Sequence, residues 1–164
     1  PNPVVYIDDR WLYNMSGEVP EEYYEVPIGQ AEILHEGNDL TIISSSFLAI
    51  ESLEAARELV KDNISVEVVD LRTIKPLDTD TMLKSVRKTG RVLIVDGGWK
   101  SFGVSAEISA VISENAFSAL KSGISRLALP DTPAPSSRSL ENVYYIYKRN
   151  IIDHVKRMLS EESI

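Results

Sequence analysis

Between Arg91 and Ile112 the spacing of apolar residues changes period once, and that change limits the chain to a narrow class of folds. Val92-Leu93-Ile94-Val95 is a continuous apolar run rich in β-branched residues, the pattern of a strand buried on both faces. Asp96-Gly97-Gly98 breaks that strand, because successive glycines permit backbone angles that a side chain forbids. Trp99 and Phe102 fall in the loop that follows. From Gly103 the spacing turns helical: Val104, Ile108, Val111 and Ile112 repeat at i, i+4, i+7 and i+8. Strand, glycine turn and helix are half of a βαβ unit, and in open α/β sheets ligands and partners gather at such strand ends.

The same alternation runs through the rest of the chain. Leu40 to Ile43 is the first core strand, and Ser44-Ser45-Ser46 supplies N-caps for a helix whose apolar face is Leu48 or Ala49, Leu53, Ala56 and Val60. Ser65 to Leu71 is the second strand; Asp78 and Thr79 cap a helix carrying Met82, Leu83 and Val86, which Lys88 and Gly90 end. Asn115 to Leu120 adds a short turn, Ile124 to Leu129 a fourth strand, and Asp131 to Ser137 a proline-rich extended connector. The last helix places Ile151, Ile152, Val155, Met158 and Leu159 on one face. Ahead of this core, Val4 to Ile7 reads as a short strand and Asp8-Asp9 as the cap of a helical turn over Arg10 to Tyr13. Asn14 to Glu22 reads as a solvated acidic loop, and Glu32 to Leu34 as part of a hairpin-like segment ending at Gly37-Asn38. The order predicts a three-layer α/β/α fold with a mostly parallel sheet of about five strands and an antiparallel edge strand. We expect one domain over residues 1–164, with 1–37 a connecting segment and edge strands and 38–164 the α/β core.

Lys and Arg number 17 against 25 Asp and Glu, a formal charge of −8, which argues against nucleic acid and an anionic membrane surface as partners. The absence of cysteine excludes thiol catalysis, disulfides and thiolate metal sites. No apolar run approaches a membrane span and no signal segment opens the chain, so a cytoplasmic setting is expected. The start, Pro1-Asn2-Pro3 running into an apolar segment without an initiator methionine, suggests an excised domain. Catalytic patterns are few. There is no P-loop and no metal-ligand spacing, and Gly97-Gly98 lacks the third glycine of a dinucleotide fingerprint. His35 and His154 read as structural or solvent-facing. Asp70, Asp96 and Asp131 all follow strands, where clustered carboxylates could bind a metal or act as acid and base; ordering of the loops by Asp70 and Arg72 is the favoured reading.

Three stretches carry a resemblance. VDGGWKSFGVSAEI (Val95 to Ile108), the run Val69 to Asp78, and Pro130 to Pro135 resemble, in order and spacing, segments of the β subunits of thiamine-diphosphate-dependent 2-oxo acid dehydrogenase E1 components, most of all the pyruvate dehydrogenase type. The resemblance runs from Pro1 to about Leu140 and covers the C-terminal, transketolase-like half of such a subunit. It implies an upstream pyrimidine-binding domain outside this sequence. It implies thiamine diphosphate and Mg2+ in the full enzyme but none on this domain, with no catalytic, cofactor-binding or metal residues here and no activity of the domain alone. The implied partners are an E1 α subunit, a second β subunit in an α2β2 tetramer, and the dihydrolipoyl acyltransferase core. The expected subunit contacts are Gly97, Gly98, Trp99 and Phe102, with Trp99 folded over its own sheet edge as the competing reading. Acyltransferase docking would fall at Lys121, near the family's acidic position, and at the terminal Ile164. The chain departs from the family in its Tyr144, Tyr145, Tyr147 run and in lacking a proline before the last helix. The alternatives are another thiamine-dependent transketolase-like enzyme and a stand-alone non-catalytic interaction module.

Overall fold

Alternating periods become alternating elements in the computed structural model, which describes residues 3–161. In chain order these are β1 (Glu32–His35), β2 (Leu40–Ser44), α1 (Phe47–Leu59), β3 (Val66–Asp70), α2 (Thr79–Thr89), β4 (Val92–Trp99), α3 (Val104–Ala116), β5 (Ser125–Leu129), α4 (Arg138–Tyr144) and α5 (Lys148–Glu161). The sheet order is β1-β3-β2-β4-β5, with β1 antiparallel to β3 and the other pairs parallel. Strand side chains alternate faces. Leu40, Ile42, Val66, Val68, Leu93 and Val95 therefore meet α1 and α5 on one side. Ile43, Val69 and Ile94 meet Met82, Leu83 and Val86 of α2 and Ile108 and Ile112 of α3 on the other. This is the expected three-layer architecture, antiparallel edge strand included.

Local chemistry sets the element ends. The Asp78 carboxylate accepts from Thr81 N at 3.0 Å and starts α2, and Gly90, at φ 75°, ends it with its N–H on Val86 O. Lys148–Glu58 and Lys156–Asp62, both 2.8 Å, tie α5 to α1 and its continuation. These pairs are exposed and orient the helices more than they stabilise them.

Four expectations are corrected. Val4 to Ile7 is not a strand: it is fully exposed with no strand alongside to take its backbone hydrogen bonds. Glu32 to His35 does not form a hairpin with β2 but crosses to pair with β3. The crossing depends on Gly37, where a Cβ would lie 2.1 Å from the Val66 carbonyl carbon. The buried face of α1 is rotated toward Ser52, Ala55 and Leu59, leaving Val60 exposed. Ser52 is tolerated there because its hydroxyl donates to Leu48 O at 2.6 Å. Finally, β4 does not end at Asp96. It continues through Gly97-Gly98, and after a register shift Trp99 pairs with Leu129 of β5. Helix α4, seven residues with none buried, follows the proline-rich connector and has no counterpart in the sequence reading.

Candidate functional site

A cleft of about 320 Å3 opens at the carboxyl ends of β2 and β4. Ser44 Oγ donates to Val95 O at 2.8 Å and ties the two strands together at its base. Ser46, between β2 and α1, holds φ 56°. Its hydroxyl does not cap α1 as expected but donates to Asp9 Oδ2 at 3.1 Å. Asp9 also accepts from Trp11 N at 3.0 Å and starts the expected helical turn, Arg10–Asn14. That turn sets Trp11 against Phe47 (centroids 4.9 Å apart) and Tyr145 (5.3 Å), both at 62°, so the rings form a corner rather than a stack.

The opposite wall is Asp96-Gly97-Gly98. Asp96 Oδ1 accepts from Gly98 N at 2.9 Å, and Oδ2 from Ser105 N at 2.8 Å. The carboxylate thus faces the amino end of α3, where negative charge is stabilising. It folds the loop back tightly enough that a Cβ on Gly103 would lie 2.1 Å from Trp99 O. Phe102, at φ 55°, stands fully exposed at the tip. Trp99 is half-exposed and donates from Nε1 to Tyr144 Oη at 3.4 Å; Tyr144 in turn donates to Thr132 O at 2.9 Å. Ser101 Oγ donates to Asp131 Oδ2 at 2.7 Å.

Gly97, Gly98 and Trp99 therefore form the end of β4, the glycines walling the cleft, and Phe102 lies on the turn that follows. Lys121 does not join them. It lies below the other end of the sheet, where its N–H and its Nζ donate to Gly90 O and Thr89 O, each at 2.8 Å, finishing α2. A broader depression of about 630 Å3 opens there, lined in part by Phe117, Lys121 and Arg126. Ile164 lies outside the described residues. The three strand-end aspartates each hold a loop. Asp96 and Asp131 act as above, and Asp70 accepts from Arg72 N at 3.1 Å while Arg72 pairs with Glu32. Burial raises the Asp70 pKa, opposed by the Arg72 N–H bond. Among the described residues no group of three or more His, Cys, Asp or Glu could hold a metal. Both histidines have structural partners: His35 Nδ1 lies 2.8 Å from Val66 O, and His154 Nε2 lies 2.7 Å from Ser125 Oγ. The sequence reading missed the wall of Asp9, Trp11, Phe47 and Tyr145. Its one local signal was the Asp8-Asp9 cap.

Comparison with known proteins adds family context. Residues 29–151 match the family described as "Transketolase, C-terminal domain". The chain is 45% identical over 159 residues to the "Pyruvate dehydrogenase E1 component subunit beta" of Staphylococcus epidermidis, covering 96% of this chain and 49% of the relative. It is 43% identical over 143 residues to the "Acetoin:2,6-dichlorophenolindophenol oxidoreductase subunit beta" of Cupriavidus necator, covering 87% and 42%. A mitochondrial pyruvate dehydrogenase E1 β subunit from Dictyostelium discoideum is 40% identical over 161 residues, covering 96% and 45%. The chain thus spans about half the length of the curated relatives it matches. Among solved structures, "Split gene transketolase, inactive beta4 tetramer" superimposes with TM-score 0.74 at 26% identity, covering 87% of this chain and 47% of that one.

Proposed function

This chain belongs to the transketolase C-terminal domain family, and on that footing we propose that it is the C-terminal domain of the β subunit of a 2-oxo acid dehydrogenase E1 component, with pyruvate as the oxo acid. The observation that carries the reading is 45% identity over 96% of the chain to a pyruvate dehydrogenase E1 β subunit. In this reading the domain serves assembly, and oxidative decarboxylation takes place in other domains. The Gly97–Phe102 loop meets a neighbouring subunit. Phe102 holds a left-handed conformation that costs about 1–2 kcal/mol, and it projects its ring into solvent from a loop fixed by Asp96. Rigid exposed aromatics suit an interface anchor.

The enzyme's thiamine diphosphate and Mg2+ belong elsewhere in this proposal. The cleft's charged lining is Asp9 and Asp96, which would repel a diphosphate, and no Lys or Arg among the described residues lines it. The partners are an E1 α subunit, a second β subunit and the acyltransferase core. Docking at Lys121 and Ile164 rests on the resemblance alone, since the Lys121 ammonium is engaged by Thr89 O. We place the complex in the cytoplasm; the Dictyostelium relative carries "mitochondrial" in its name, and no helix among the described residues is long and apolar enough to cross a membrane. A second reading, a transketolase-like enzyme, is favoured by the TM-score of 0.74 to the split-gene transketolase, but identity there is 26%.

The test pairs the β subunit carrying this domain with an E1 α subunit, thiamine diphosphate and Mg2+. Native mass and pyruvate-dependent reduction of an artificial acceptor are measured. We expect a mixed oligomer with activity, and Trp99→Ala with Phe102→Ala should weaken assembly tenfold or more, roughly 1 kcal/mol or above per anchor. Activity with acetoin but not pyruvate would move the substrate. A β subunit whose mass ignores α would overturn the assembly reading.

A further inference from the structure

The cleft beside the Gly97–Phe102 loop has a lining that selects one kind of occupant. Its aromatic corner is Trp11, Phe47 and Tyr145, and among the described residues its charged side chains are Asp9 and Asp96. The amino end of α1 lines it, and each carboxylate faces a helix end, Asp9 that of α1 through Ser46 and Asp96 that of α3 directly at Ser105. Two helix ends supply about half a positive charge each. Set against two carboxylates, they leave roughly one negative charge uncompensated. Each oxygen of both carboxylates accepts one hydrogen bond, from Trp11 N, Ser46 Oγ, Gly98 N and Ser105 N. A carboxylate oxygen has two lone-pair sites, so capacity remains on all four.

We propose that this cleft is the receiving site for a basic side chain, an arginine guanidinium, carried by the subunit that covers the Gly97–Phe102 loop. The proposal rests on the reading of that loop as an interface and names the chemistry of its partner. A guanidinium can lay its plane on a ring while its N–H edge reaches a carboxylate, which an ammonium does less well. An apolar occupant would strip water from two carboxylates and give nothing back. An anion would meet them directly. The formal charge of −8 on the chain draws a cationic partner in over longer range.

The test needs neither partner subunit nor thiamine chemistry, so it can fail while the E1 reading stands, and the reverse. The isotope-labelled chain is titrated with a blocked arginine amide, and the Trp11 indole and the Gly97 and Gly98 amides are followed by NMR. Blocked norleucine and glutamate amides serve as the apolar and anionic probes. The expected result is saturable, millimolar arginine binding that weakens with added salt and exceeds norleucine binding. Asp9→Asn keeps the acceptor for Trp11 N but removes charge, and should weaken arginine about threefold to tenfold; Trp11→Leu should do the same. Norleucine binding as tightly as arginine would overturn the proposal in favour of an apolar anchor. So would arginine affinity unchanged in Asp9→Asn, or no saturable shift at these signals.

Discussion

At the amino end of the sheet, Glu67 is fully buried beneath α2, held by the Lys88 ammonium and, at 3.4 Å, by Gly37 N. Beside it Thr41 Oγ1 lies 2.8 Å from Thr89 Oγ1 and donates to Ser85 O at 3.1 Å. At the carboxyl end Ser44 and Asp96 are tied inward, but the loops beyond them face solvent. Ser46, Arg72 and Phe102, following β2, β3 and β4, all hold positive φ without being glycine, and the rings of Trp99 and Phe102 reach solvent. At the first end a buried carboxylate is tolerable because a cation of the same chain answers one of its oxygens, while Glu67 Oε1 has no hydrogen-bond partner among the described residues. The second end retains strain and exposed apolar surface that nothing in the domain relieves, which is where function concentrates. The division is one of degree, since the broad depression with its exposed Phe117 opens at the first end.

The contrast can be broken at its buried end. Lys88→Met should give the largest effect, about 2–4 kcal/mol lost in urea unfolding, because Glu67 is then left buried without its cation. Burial pulls the Lys88 ammonium down, but its bonds to Glu36 and Glu67 outweigh that and hold its pKa above the ordinary lysine value. Adding Glu67→Leu to Lys88→Met should recover most of the loss. If Lys88→Met alone unfolds like the parent, the amino end is not held by this pair.

The exposed end predicts the opposite. Phe102→Gly removes a strained, fully exposed residue, so thermal stability should hold or rise by up to about 1 kcal/mol. A clear loss of stability would mean the ring packs within the domain after all. The smallest effect concerns Asp70. Its folded pKa is raised, so the folded state takes up a proton more readily than the unfolded one. Its charge therefore weakens folding at neutral pH, and that penalty disappears as pH falls through the raised value toward the ordinary aspartate range. Asp70→Asn, which keeps an acceptor for Arg72 N, should be slightly more stable at pH 7, with the gap closing on acidification. A gap that widens on acidification would reverse the sign of the burial effect.

Much of this was legible beforehand for reasons that can be named. Met82, Leu83 and Val86, or Ile151, Ile152 and Val155, point to one side because helix geometry makes them do so wherever the helix lies. The Asp78 and Gly90 caps are equally local. The carboxyl-end loop was found as a candidate because a glycine pair with flanking aromatics is visible in one line of sequence. Other features were not local. Val4 to Ile7 has the composition of a strand but lacks a neighbour, and pairing needs one. Gly97-Gly98 looks like a break but continues β4, because β5 lies close enough to resume pairing at Trp99.

The sequence by itself determined the element types, their order and the layered class of the fold, since burial periodicity and capping are properties of neighbouring residues. Only the tertiary structure decided that β1 lies against β3, that Lys88 answers Glu67, and that Asp9, Trp11, Phe47, Asp96 and Tyr145 wall one cleft. Those contacts join residues far apart along the chain. They are fixed by which sheet faces and edges the helices leave open, a free energy summed over the whole domain that no local pattern contains.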